Sequence, residues 1–146
     1  MRKRTKSREA ALKILYQIDI TKDTPQAALA DFFLNTPAGE EVSEFAAKLV
    51  EGTNSEIESI DKLISKSADN WQLNRMAIVD RNILRLATYE MLYLTEEIPV
   101  KVAINEAVEL AKKYGDTDSS KFVNGVLDKI KKTELDAKTA RAQEEK

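Results

Sequence analysis

The sequence predicts an all-α fold, and three observations carry that prediction. Only four glycines and three prolines interrupt 146 residues. Apolar side chains recur at three- and four-residue intervals along most of the chain, and no segment sustains the period-two alternation of a half-buried strand. At this length one domain, or two small packed halves, can bury a core without a metal or disulfide to hold it.

The first amphipathic helix spans residues 8 to 20, where Ala11, Ile14, Leu15 and Ile18 lie opposite Lys13, Gln17 and Asp19. Asp23-Thr24-Pro25 ends it. Thr24 suits an N-cap and Pro25 the first position of a short helix through Ala28, Leu29, Phe32 and Phe33. Pro37 and Gly39 close that segment. A third helix starts near Glu41, turns Phe45, Leu49 and Val50 inward, and stops at Gly52-Thr53-Asn54. Ser55 with Glu58 spells a capping box that restarts a helix containing Ile57, Ile60, Leu63 and Ile64. Ser67 to Trp71 reads as a linker, dividing an N-terminal bundle, residues 1–70, from a C-terminal one, residues 71–132.

The most apolar stretch follows, from about Asn74 to Leu94. Met76, Val79, Ile83, Leu86 and Ala87 form one stripe, and Ile78, Leu84 and Met91 widen it. Such a helix belongs at the centre, covered by several neighbours. Pro99 opens the next, through Val102, Ala103, Val108, Leu110 and Ala111 to a C-cap at Gly115. The last helix begins at Thr117 or Asp118 and buries Phe122, Val126, Leu127 and Ile130. Gly125 inside it costs ~1 kcal/mol relative to Ala, which suggests close approach by a packed neighbour. Residues 133–146 form a polar tail, expected to be disordered.

Composition removes whole classes of chemistry. With no cysteine and no histidine, the thiol nucleophile, the commonest zinc ligands and the side chain that titrates near neutrality are all missing. The acid pairs Glu40-Glu41 and Glu96-Glu97 are neighbours in sequence, which do not face each other on a helix. No phosphate-loop, dinucleotide or zinc-protease motif is present. The expectation is a non-enzyme without cofactor or metal. No run approaches a membrane span, and Glu9, Lys13, Gln17 and Asp19 replace an apolar signal core, so a cytoplasmic protein with no membrane partner is expected.

The net charge of −2 conceals an asymmetry. Arg2, Lys3, Arg4, Lys6 and Arg8 place five positive charges in eight residues, which leaves 18 basic against 25 acidic residues elsewhere, a charge of −7. A basic arm on an acidic body suggests an anionic partner at one place and a basic protein at another. Cations before a helix N-terminus oppose its dipole by ~0.3–1 kcal/mol each, a conflict that a bound polyanion relieves. The plain alternative is a solvated terminus.

A second candidate is the turn from Gly115 to Phe122, which offers free backbone amides, the hydroxyls of Ser119 and Ser120, and Lys121. These are components of a phosphate site. Ordinary capping by Thr117 or Asp118 explains the same residues, and Phe122 fits a core stripe as well as a surface for a base.

Three stretches together resemble the NusB family: REAALKILY at residues 8–16, VDRNILRLATYE at 79–90, and PVKVAINEAVELAKKYG at 99–115 continued by KFVNGVLDK at 121–129. The last is the most specific, whereas Ile20 to Asn70 carries little signature. The resemblance implies two packed three-helix bundles and a transcription antitermination factor. It implies binding to single-stranded boxA RNA together with NusE, a ribosomal protein, within the transcription elongation complex on ribosomal RNA operons. NusB-like domains also occur attached to ribosomal RNA methyltransferases; a stand-alone adaptor is the expectation here.

Carried over by position, the RNA surface would comprise Arg2, Lys3, Arg4, Lys6, Arg8 and Tyr16, with Asp118, Ser119, Lys121 and Phe122 in the later turn. Asp80 would face NusE. Five arm contacts to a single strand give a log-log salt slope of about −3.5, at ~0.7 per phosphate. Two rivals predict otherwise: a helix-turn-helix regulator would prefer duplex DNA, and a protein-binding scaffold would show no salt-dependent RNA affinity.

Overall fold

The computed structural model describes residues 2–136, and all regular structure within them is helical. The α-helices are α1 (Lys3–Thr21), α2 (Pro25–Asn35), α3 (Glu40–Ser55), α4 (Ile57–Ser67), α5 (Ile78–Tyr93), α6 (Val100–Tyr114) and α7 (Ser119–Ile130). A single 3₁₀ turn, Leu73–Arg75, precedes α5, and a π-helical extension, Lys131–Asp136, follows α7. Helices α1, α2 and α3 pack on one another, as do α5, α6 and α7, giving two three-helix bundles. The central helix is α5, which touches α1, α3, α4, α6 and α7, as its broad apolar surface requires. Helix α4 precedes residue 70 in sequence yet packs on α5 and α7, and one continuous apolar core runs through both bundles.

The boundary chemistry at α2 is as the sequence indicates: the Ala27 N–H donates to Thr24 Oγ1 at 3.2 Å, and Pro25 occupies the first turn. Other boundaries move for physical reasons. Helix α1 starts at Lys3, so the basic segment is itself helical. Acids from other elements offset the unfavourable dipole, with Glu41 2.9 Å from Lys3 and Glu97 2.7 Å from Arg4.

Helix α3 runs through Gly52 to Ser55. The glycine is no stop signal there; a Cβ would fall on the Tyr89 ring of α5, so the residue is a packing device. The capping box at Ser55 does not form, because Ser55 ends α3 and Glu56 occupies the N-cap position of α4 without a side-chain bond. Helix α5 begins at Ile78, later than Asn74, since Met76 and Ala77 are extended at ψ 154° and 138°. Met76 still reaches the core.

Gly115 is extended, at φ −96° and ψ −172°, not left-handed. It matters through space: a Cβ there would meet the Ser119 side chain and the Ala111 carbonyl. Gly125 shows the opposite, because a Cβ added there would meet nothing within 4 Å, so the close approach expected from sequence is not there. Val102 faces outward at 41% exposure. Of the polar tail, Leu135 packs against the core, and residues 137–146 lie outside the described residues.

Candidate nucleic-acid interface

The pitch of α1 sorts its cations. Arg2 at the N-cap position, Lys3, Arg4 and Lys6 are exposed, whereas Ser7 and Arg8 rotate onto the buried face. Arg8 is 2% exposed. Its Nε and Nη2 donate to Glu90 Oε1 at 2.9 and 2.7 Å, and Nη1 lies 3.5 Å from Glu106. The expectation that Arg8 meets RNA is therefore corrected: its donors are spent inside the protein, and four arm cations remain outside. Burial raises the Glu90 carboxyl above the ordinary carboxylate range despite the hydrogen bonds and charge of Arg8.

The remaining arm is partly engaged. Arg4 lies over the Phe45 ring, 4.6 Å from its centroid, while Glu97 accepts from both Arg4 and Lys48. Lys6 has no ion pair among the described residues and lines a groove with Lys13 and Phe33.

From the arm onward, side chains of α1 reach across a groove to α6. Thr5 donates to Glu106 at 2.9 Å; farther along the seam, Lys113 and the Tyr114 hydroxyl both donate to Glu9, at 2.8 and 3.0 Å. Lys13 then sits 5.7 Å from the centroid of the Tyr114 ring. The seam ends in a hollow of about 200 Å³ lined by Tyr16, Asp80, Tyr114, Gly115 and Asp116. Tyr16, 38% exposed, thus shares a surface with Asp80, the residue expected to face a protein. Asp80 Oδ1 is buried without a hydrogen-bond partner among the described residues.

An ion network fixes this end. Asp19 Oδ2 accepts from Arg81 Nε at 2.7 Å, Asn82 Nδ2 at 2.9 Å and Arg85 Nη1 at 3.0 Å, and Arg85 also grips Asp61 of α4 with two bonds. Burial pushes the Asp19 carboxyl up, but the hydrogen bonds of Arg81 and Asn82 and the charges of Arg85 and Arg81 outweigh it and hold it at about 2. Tyr16 is one turn before Asp19, and Asp80 precedes Arg81, so the network sets their relative positions.

The α6–α7 turn is built differently from the expected cap. Asp118 takes the N-cap position but makes no cap bond, and Thr117 makes none either; the Asp116 N–H donates to Ser119 Oγ at 2.9 Å. Ser119 is 3% exposed, so its hydroxyl shapes the turn and does not face outward. Asp118 and Lys121 are exposed, Lys121 with no ion pair among the described residues. Phe122 is half-buried, its ring 5.3 Å from that of Trp71. Trp71 is absent from the sequence-based site because it reads as linker; the signal that could have found it is an indole in an otherwise polar segment.

The NusB family model matches residues 5–132. The chain belongs to the NusB family. It is 51% identical over 129 residues to the transcription antitermination protein NusB of Anaeromyxobacter sp. (strain Fw109-5), covering 88% of this chain and 89% of that protein. The Bacillus cereus NusB is 47% identical over 131 residues, covering 90% and 98%. Among solved structures, T. maritima NusB superposes with a TM-score of 0.81 at 42% identity, covering 89% of this chain and 91% of that one. A structure of the antitermination factors NusB and NusE in complex with dsRNA matches with a TM-score of 0.81 at 33% identity, covering 90% and 98%. The NusB signature segments thus fall on α1, α5, α6 and α7, the helices that build this surface.

Proposed function

We propose that this NusB-family protein is a transcription antitermination factor that binds boxA RNA together with NusE and acts by binding, with no catalytic step. The observation that carries the reading is the set of four exposed cations, Arg2, Lys3, Arg4 and Lys6, on the opening turns of α1. The neighbour whose NusB is complexed with NusE and dsRNA supports RNA and NusE as the partners. The four cations attract phosphate without reading sequence. Lys121 and Phe122 extend the contact to the α7 start, and Tyr16 lies between the two patches, next to Asp80. In this arrangement Asp80 and Tyr16 form the edge where NusE docks, and an acidic body attracts a basic ribosomal protein.

The deciding experiment titrates labelled boxA RNA with the protein, alone and with NusE, as single strand and as duplex, over a range of salt. Cooperative tightening by NusE is the expected result, with a single-strand slope of about −2.8 from the four arm cations at ~0.7 each, steeper by that amount for every further phosphate contact such as Lys121. A slope near zero, or no gain from NusE, overturns the reading. Preference for duplex DNA over either RNA would favour a helix-turn-helix regulator instead.

A further inference from the structure

We infer that Trp71 and Phe122 form a two-ring platform that receives an unpaired base of the bound RNA, an inference that rests on the RNA-binding reading above. Trp71 is 46% exposed, although an apolar core lies beside it. It is held there by the chain and is not merely loose. Asp69 and Asn70 both adopt left-handed backbone, at φ 54° and 63°, a conformation that Asp and Asn tolerate better than most side chains. The Trp71 N–H closes the turn on the Ala68 carbonyl at 3.0 Å. The indole then meets the Phe122 ring edge-on, with centroids 5.3 Å apart and planes at 64°. Its own N–H has no hydrogen-bond partner among the described residues, leaving a donor open beside an exposed flat surface.

The two rings and two exposed cations together set what kind of partner fits. Lys121, adjacent to Phe122, and Arg75, in the 3₁₀ turn that follows Trp71, are exposed and carry no ion pair among the described residues. Asp69, the acid nearest Trp71 in sequence, is matched by Lys129 at 3.3 Å. Asp116 and Asp118 are the carboxylates of the adjoining turn. A basic protein would face Lys121 and Arg75 with like charge. A single RNA strand instead places phosphate against the cations and a base against the rings, and every base has a face that can stack. The platform also continues the proposed interface, since Phe122 and Lys121 belong to both.

Trp71 is the chain's one tryptophan, so its emission reports this site alone. The test titrates the full chain, without NusE, with fluorescein-labelled single-stranded boxA RNA, following anisotropy and tryptophan emission in parallel. An abasic oligoribonucleotide of the same length is the control. Saturable quenching by boxA RNA, and none by the abasic strand, is expected. Trp71→Ala should weaken binding about 5- to 150-fold, the range that follows removal of one stacked aromatic. Trp71→Phe should recover most of that loss. A rise in anisotropy with unchanged emission, or a Trp71→Phe protein no tighter than Trp71→Ala, overturns the platform alone. Should Trp71→Ala fail to fold, the quenching contrast on the natural chain and the Trp71→Phe titration still decide. Absence of any anisotropy change with the natural chain, both alone and after NusE is added, overturns the RNA reading itself, and the platform with it.

Discussion

Arg8 of α1 and Glu90 of α5 are joined inside the core by hydrogen bonds of 2.7–3.1 Å, with both side chains almost wholly removed from water. Such a pair locks two helices in register, yet each charge is costly to desolvate and depends on the other. Replacing Glu90 by Gln leaves the Arg8 guanidinium with only Glu106 at 3.5 Å as a charged partner. A loss of about 3–5 kcal/mol in urea unfolding is expected. The double variant Arg8→Met/Glu90→Leu should recover most of it, because both charges leave together. Its RNA affinity should match that of the natural chain. A large loss of affinity in a well-folded double variant would restore Arg8 to the RNA surface.

Asp19 yields a prediction in pH. Its carboxyl falls from an ordinary 3.8 to about 2 in the folded protein, so the unfolded chain takes up its proton first as the solution is acidified. The stability contributed by the network is therefore fully present above pH 3.8 and is lost as pH falls towards 2. Asp19→Asn removes that dependence along with the ion pairs to Arg81 and Arg85. The difference in stability between the natural chain and Asp19→Asn should thus be largest near neutrality and shrink through this acid window. A difference that is constant with pH would show that the carboxyl charge has no part in it.

Asp118 occupies an N-cap position without using its side chain as a cap. Asp118→Asn should therefore leave the melting temperature nearly unchanged while removing a negative charge from beside Lys121. If RNA phosphate passes this turn, affinity should rise about two- to fivefold at low salt, the scale of one exposed charge repulsion at contact distance in water. Screening should shrink the gain as salt increases. Weaker RNA binding by a folded Asp118→Asn protein would place the strand elsewhere.

The helices were legible because their evidence is local. The Thr24-Pro25 start and the apolar stripes of α1, α5 and α7 each depend on a few neighbouring residues. What sequence could not supply was the partner across space. Arg8 looks like Arg4 in the sequence, and only Glu90, 82 residues away, distinguishes the buried one from the exposed one. Phe122 matched both a core stripe and a site, and it proves to be half-buried against Trp71 because a two-residue left-handed turn brings the linker over α7. Tyr16 and Asp80 were assigned to different partners from separate segments, although the fold lines one hollow with both.

Two helical glycines make this point measurable, because sequence alone assigns them the wrong roles. Gly52 reads as a break yet lies within α3 under the Tyr89 ring, which is itself stacked on Tyr93 with centroids 5.3 Å apart. Gly125 reads as a site of close packing yet has open space around it. Alanine favours either helix by ~1 kcal/mol through propensity. At Gly125 nothing opposes that gain, so Gly125→Ala should raise stability by about that amount. At Gly52 the added methyl must displace Tyr89, and overpacking of this kind costs about 1–3 kcal/mol. Gly52→Ala should therefore lower the urea midpoint, and pairing it with Tyr89→Ala should reduce the penalty attributable to the methyl. Equal stabilisation by both single substitutions would mean that the Tyr89 ring moves aside freely and that α3 and α5 are not held together by this contact.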